Sequence, residues 1–262
     1  MEKIKTIVLK EWAEVFKNRL VLSTVIFMPL LFAIIPLIML YLTRSTSMND
    51  LTSDMPSQIM QLCPEGVALG ECFQVFMAGQ MMLLFMLSPL IIPVNIAAYS
   101  IVGEKTTRSL EPLLATPITT AELLIGKNLA AVIPAVVATW FGFFIYVIGA
   151  AIIVKSPYVI ASLLDPKWWL AIGIIGPLLA VLSVNFSLMV SSRVNDPRVA
   201  EQLSVVVILP ILAIFFGQMF GVLLINRQLV LAFAAIVLLI DLGLVFLSIR
   251  LFQRETILTR WK

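Results

Sequence analysis

The 262-residue chain contains no histidine at all, and only 13% of its residues are charged, about half the share of a soluble globular domain. The missing histidine excludes His-based metal sites, Ser-His dyads and HExxH chemistry together. Cysteine is confined to Cys63 and Cys72, too few for a disulfide scaffold. No phosphate-cradling loop of the form G-x-x-x-x-G-K-[ST] occurs: Gly126-Lys127 is followed by Asn128, and Ala121 stands where the first glycine belongs. Nucleotide hydrolysis by this chain is therefore not expected, and neither is a metal centre. An aspartyl intramembrane protease needs two acids inside the bilayer, and only Asp241 is available.

What fills the space is apolar. Hydrophobic residues make up 61%, and the mean hydropathy is +1.06. Long runs almost free of charge meet the roughly 20 residues that a helix needs to cross about 30 Å of hydrocarbon. Continuous apolarity on every face is contrary to the alternating pattern of a β-barrel. The expectation is an all-α, polytopic membrane protein forming one domain over 1–262, with spans at about 20–42, 76–101, 128–153, 168–191, 203–225 and 229–250. The first apolar stretch is longer than the core of a signal peptide and is read as a retained helix.

Lys and Arg accumulate on cytoplasmic flanks. With the N-terminus inside, all but Arg44, Lys155, Lys167 and Arg227 of the 18 basic residues fall on the inner side. Both termini are expected in the cytoplasm, residues 43–72 form an outer loop, and the net charge of +3 is an inner-leaflet bias that calls for no nucleic acid. Residues 2–18 place Ile4, Ile7, Val8, Trp12 and Val15 on one face with lysines elsewhere, the pattern of a helix lying in the membrane interface.

The stretch 103–127, GEKTTRSLEPLLATPITTAELLIGK, is the charged exception between the second and third spans. Leu110, Leu113 and Leu114 share a helical face that cannot continue past Pro117. Thr119 and Glu122 then have the spacing of a capping box, starting a new helix that runs into the third span. Periodicity alone leaves two readings open, an amphipathic elbow among lipid headgroups or a docking element.

The order Gly103-Glu104-Lys105, Leu110-Glu111-x-Leu113-Leu114-x-x-Pro117 and Glu122-Leu123-x-x-Gly126-Lys127 resembles the cytoplasmic signature of ABC-2 type transporter permeases. The resemblance implies that this loop carries a coupling helix docking on a separate ATPase subunit. Glu104, Leu110, Glu111, Leu113, Leu114, Pro117 and Glu122 would be its coupling residues, and Arg193 and Asp196 of the second inner loop a second contact. It further implies two ATPase copies, which bind ATP and Mg while this chain binds no cofactor. A second permease copy, as homodimer or heterodimer, would complete the complex, with export as the usual direction. The second inner loop has a simpler reading too, since Asp196 followed by Pro197 is a good helix start. One departure is that only Asn226-Arg227-Gln228 separates the last two spans, which leaves no room for the re-entrant hairpin of some relatives. The family resemblance leaves open an ATPase-coupled scaffold or sensor for a surface assembly. The residues by themselves also leave open an ion channel-like protein centred on Asp241.

Gln80, Asn95, Asn185, Gln218 and Asp241 are the intramembrane polar residues that can line a pathway or bridge helices. Asp241 either sits protonated against a neighbouring helix or faces a wet cavity and binds a cation. Pro89 and Pro93 favour kinks, and Gly217-x-x-x-Gly221 permits close helix contact. Cys63 and Cys72, both in the outer loop, form either a disulfide or two free thiols.

Overall fold

A computed structural model describes residues 2–43, 67–106, 118–223 and 225–251. These fold into helices with no strand among them: α1 (Glu2–Val15), α2 (Arg19–Thr43), α3 (Leu69–Phe85), α4 (Ser88–Thr106), α5 (Thr120–Ile153), α6 (Pro157–Leu163), α7 (Pro166–Leu170), α8 (Gly176–Ser191), α9 (Pro197–Ser204), α10 (Leu209–Met219) and α11 (Arg227–Leu251). A π-helical turn (Ala171–Ile175) joins α7 to α8, and a 3-10 turn (Val205–Ile208) joins α9 to α10. Grouped by length and apolarity, they give six candidate membrane spans, as the apolar runs lead one to expect. The chain is a multi-pass, all-α membrane protein.

Four spans begin well before the positions the runs alone indicate: the fourth at Pro157, the fifth at Pro197, which also ends at Met219 rather than near 225, and the two begun by α3 and α5. α3 starts at Leu69, inside the stretch read as outer loop, because Leu69, Cys72 and Phe73 extend its apolar register. α5 starts at Thr120, because both halves of the expected capping box form. The Thr119 hydroxyl accepts from the Glu122 N–H at 3.2 Å, and the Glu122 carboxylate accepts from the Thr119 N–H at 2.8 Å.

The centre of the bundle is the span built from α3 and α4, which is 83% buried over its most apolar window against 17% for the span containing α11. Toward its Glu104 end it packs Ile92, Ile96 and Ala97 against Val25, Leu124, Ala135, Val184 and Leu188. Toward its Leu69 end it packs Phe85 against Phe143 and Tyr146, with ring centroids 6.1 and 5.4 Å apart. The exposed apolar residues of α2, α5, α10 and α11 cover the outside of the bundle.

Proline writes much of the interhelical bonding. A proline in a helix leaves the carbonyl four residues earlier without its donor. Pro93 frees Pro89 O, which the Ser183 hydroxyl of α8 approaches at 3.4 Å, sharing its hydrogen with Ala180 O of its own helix at 2.9 Å. Pro134 frees Ala130 O, and the Trp12 indole of α1 takes it at 2.9 Å. At the π turn, Gly176 N–H bonds Ala171 O and Pro177 has no N–H to offer, so Ile172 O receives the Trp140 indole at 3.2 Å.

Gly217 and Gly221 do not serve helix–helix contact. α10 ends at Met219, and Gly221, with φ of 70°, closes it as a Schellman turn: Val222 N–H bonds Gly217 O at 2.8 Å and Gly221 N–H bonds Gln218 O at 3.0 Å. The small-residue spacing coincides with a helix terminus, and a Cβ on Gly217 would meet Leu223 at 2.6 Å.

Close helix approach is permitted instead by glycines of α5, most stringently by Gly142. A Cβ there would stand 2.8 Å from the backbone oxygen of Pro29, which cannot swing aside as a side chain can. Gly142→Ala should force α2 away from α5 and destabilise the protein by about 1–3 kcal/mol, read as a lowered thermal midpoint in detergent. An unchanged midpoint would mean that this crossing is looser than described.

Candidate functional site

Both ends of the 103–127 stretch meet at one point. Glu104 lies in the last turns of α4, Lys127 two turns into α5, and Glu11 on the otherwise apolar face of α1. The Lys127 ammonium donates to Glu11 Oε1 at 2.8 Å and to the Ser100 hydroxyl at 2.7 Å, and its ion pair with Glu104 Oε2 spans 2.9 Å. Ser100 in turn donates to Glu11 Oε2 at 2.6 Å, and Lys10 reaches Glu104 Oε1 at 2.6 Å. The side chains of Lys127, Glu11 and Glu104 are only 2%, 3% and 4% exposed. Lys127, Glu11 and Glu104, from three helices, thus form a desolvated core, and Lys10, 38% exposed, closes it from the rim, where Glu14 also lies 3.7 Å from the Lys10 ammonium.

Such a cluster tolerates burial because every charge has an opposite neighbour and further hydrogen bonds. Burial alone would raise the Glu11 carboxyl. The charge and hydrogen bond of Lys127, with Ser100 and Lys10, outweigh that and hold it below the usual range. Burial likewise opposes the Lys10 ammonium, yet its bond to Glu104 and the charges of Glu104, Glu11 and Glu14 carry it above the usual lysine value.

The sign of the pH dependence follows. A depressed Glu11 contributes stability that is complete above the ordinary glutamate value near 4.3 and lost as pH falls through the folded value. A raised Lys10 contributes stability that is complete below about 10.4 and lost as pH rises further. The thermal midpoint in detergent should be flat from about pH 5 to 9 and fall in more acid solution, and Glu11→Gln should blunt that acid fall. A midpoint that climbs on acidification would contradict the pairing.

Around the cluster, α1 is seated by shape. Gly126 lies under Ile7, where a Cβ would come within 2.7 Å of Cγ2, and Trp12 holds Ala130 O as above. Lys3 adds a longer ion pair to Glu122 at 3.8 Å.

Of the residues singled out for coupling, Glu104 is buried and doubly paired, so it braces the loop base and presents nothing to a partner. Glu122 caps α5. Arg193 and Asp196 are exposed on the turn before α9, where Asp196 accepts from Arg198 N–H at 2.8 Å as an N-cap. Leu110, Glu111, Leu113, Leu114 and Pro117 lie outside the described residues. Lys10, Glu11, Ser100 and Lys127 were not among the expected site residues. The available signal was Glu11 itself, an acid between Val8 and Val15 on the apolar face of α1.

The five candidate pathway residues do not converge. Gln80 is buried on α3 with neither side-chain polar atom bonded among the described residues, beside Gly79, whose Cβ position lies 3.5 Å from Gln218 Nε2. Gln218 lines a cavity of about 280 Å³ with Tyr158, Ser162 and Trp168. Asn185 instead bonds Val181 O and accepts from Asn128 at 3.3 Å, in a separate cavity of about 230 Å³ bordered by Ser248. Asn95 is buried in α4, and Asp241 is buried on α11 with both oxygens unbonded among the described residues. Cys72 is disulfide-bonded, and Cys63 lies outside the described residues. Among the described residues no group of acids and cysteines is arranged to hold a metal ion.

The helix count, the central buried span and the charged cluster at the base of the 103–127 stretch define a polytopic membrane component. The family model for ABC-2 family transporter proteins matches residues 5–233, the greater part of the chain, and the protein belongs to that family. No curated protein matches it closely enough to stand as a relative.

Proposed function

We propose that the chain is the membrane-spanning permease subunit of an ATP-driven exporter in the cytoplasmic membrane. A separate ATPase docks on the 103–127 loop and binds ATP and Mg, two copies serving a dimer of permeases. The observation that carries this reading is the Glu11–Lys127–Glu104–Lys10 cluster. A loop that only rested among headgroups would need no such base. A loop that must transmit force needs both ends fixed to each other and to a lever. Here the ends are Glu104 and Lys127, and the lever is α1. Displacement of the loop would then move α1, α4 and α5 together, and α4 belongs to the most buried span of the bundle.

The test is to purify the tagged protein from its own host in mild detergent and identify its companions by mass spectrometry. A stoichiometric subunit bearing the phosphate-binding loop that this chain lacks is the expected result. A preparation that yields no ATPase even after crosslinking would overturn the proposal.

A further inference from the structure

A groove of about 480 Å³ runs between α1, α2 and α5, walled by Trp12, Phe16, Pro29, Pro134, Val137 and Phe141 among others. None of its lining residues is ionisable, and the Trp12 N–H is already committed to Ala130 O. The walls therefore offer an occupant no strong polar contact, and hydrocarbon is what suits them.

Position and charge narrow the occupant. Val25 to Leu30, which line the groove, lie 6 to 11 residues beyond Arg19, the first residue of α2, or roughly 9–17 Å along the helix axis. That is about the depth of one leaflet of a 30 Å core. At the shallow end, beside Phe16, the turn between α1 and α2 carries the exposed cations Lys17 and Arg19, and neither enters an ion pair among the described residues. Two cations at the mouth of an apolar slot one leaflet deep complement a phosphate headgroup above an acyl chain.

We infer that this groove is a binding site for an anionic phospholipid, with one acyl chain between α1, α2 and α5 and its headgroup on Lys17 and Arg19. A lipid bound there packs on Trp12 and Phe16, the face of α1 adjoining Glu11, and holds α1 down on α5 from the membrane side. The site stands on this groove and these cations alone and is independent of any ATPase.

The experiment uses the full-length chain, purified and incorporated into nanodiscs of phosphatidylcholine alone or with about one third phosphatidylglycerol. Extraction into detergent and native mass spectrometry then count retained lipids. Each cation near a membrane surface favours anionic lipid by about fivefold, so the pair should give roughly 10- to 30-fold enrichment of phosphatidylglycerol on the protein. Lys17→Gln with Arg19→Gln should remove the enrichment while leaving a neutral lipid bound. Ala138→Phe, which projects a ring into the groove with both cations kept, should lose the retained lipid of either kind. Equal retention of the two lipids by the wild type, or unchanged enrichment in both variants, would overturn the site. So would a crosslink from Val137→Cys to a second copy of the chain, which would show that a protein surface fills the groove.

Discussion

Replacing Lys127 by alanine should be the most damaging single change around the charge cluster. It leaves Glu11 and Glu104 buried, with Lys10 3.9 and 2.6 Å away from them, and breaking a buried pair by deleting one partner costs about 3–5 kcal/mol. We expect a large fall in monodisperse yield and loss of amide-exchange protection along α1, because Glu11 would keep the Ser100 hydrogen bond and the Lys10 ammonium 3.9 Å away but lose its closest counter-charge in an apolar seat. The triple change Lys127→Met, Glu11→Gln and Glu104→Gln should recover most of the loss, since a neutral set of similar volume avoids the desolvation cost. If Lys127→Ala keeps α1 as protected as in the wild type, the cluster is incidental and shape alone seats the helix.

The second large effect concerns association. On the proposed coupling, Leu113 is one of three leucines presented on one helical face to the ATPase, and Leu113→Asp would put a carboxylate at the centre of an apolar contact. Losing an interface anchor costs about 2–4 kcal/mol, or roughly 30- to 800-fold in Kd. The ATPase should no longer co-purify, while the variant inserts normally, because residue 113 lies between spans. Leu110→Ala, a milder truncation on the same face, should weaken association without abolishing it. A Leu113→Asp protein that retains a fully coupled ATPase would place the docking surface elsewhere.

Much of the fold was readable because the bilayer imposes a length rule, and six apolar stretches satisfy it without tertiary information. The Thr119/Glu122 capping box and the Asp196-Pro197 helix start were readable for a different reason: each is a contact between residues two or three apart. The charge cluster was not. Glu104 and Lys127 are 23 residues apart and Glu11 is more than 90 from Glu104, and only the packing of α1 into the notch between α4 and α5 brings them together. Gly217 and Gly221 were misread because the spacing that suits a helix crossing also suits a helix end, and only the positive φ of Gly221 separates the two. The polar residues Gln80, Asn185, Gln218 and Asp241 were each visible, but their division between two separate cavities and α11 depends on which helix face turns toward the bundle.

The capture of Ala130 O by Trp12 and the inward-facing charges of the cluster share a property that becomes useful at the bench. Apart from Lys10 at the rim, which is 38% exposed, neither the Trp12 bond nor the buried core of Lys127, Glu11 and Glu104 is open to dissolved ions, whose screening acts on exposed charges beyond about 10 Å at 0.1 M. Molar salt should therefore strip proteins held at the inner face through surface charge while leaving α1 locked in place. The permease core would survive such a wash as a reusable receptor on which its partners can be reassembled one at a time.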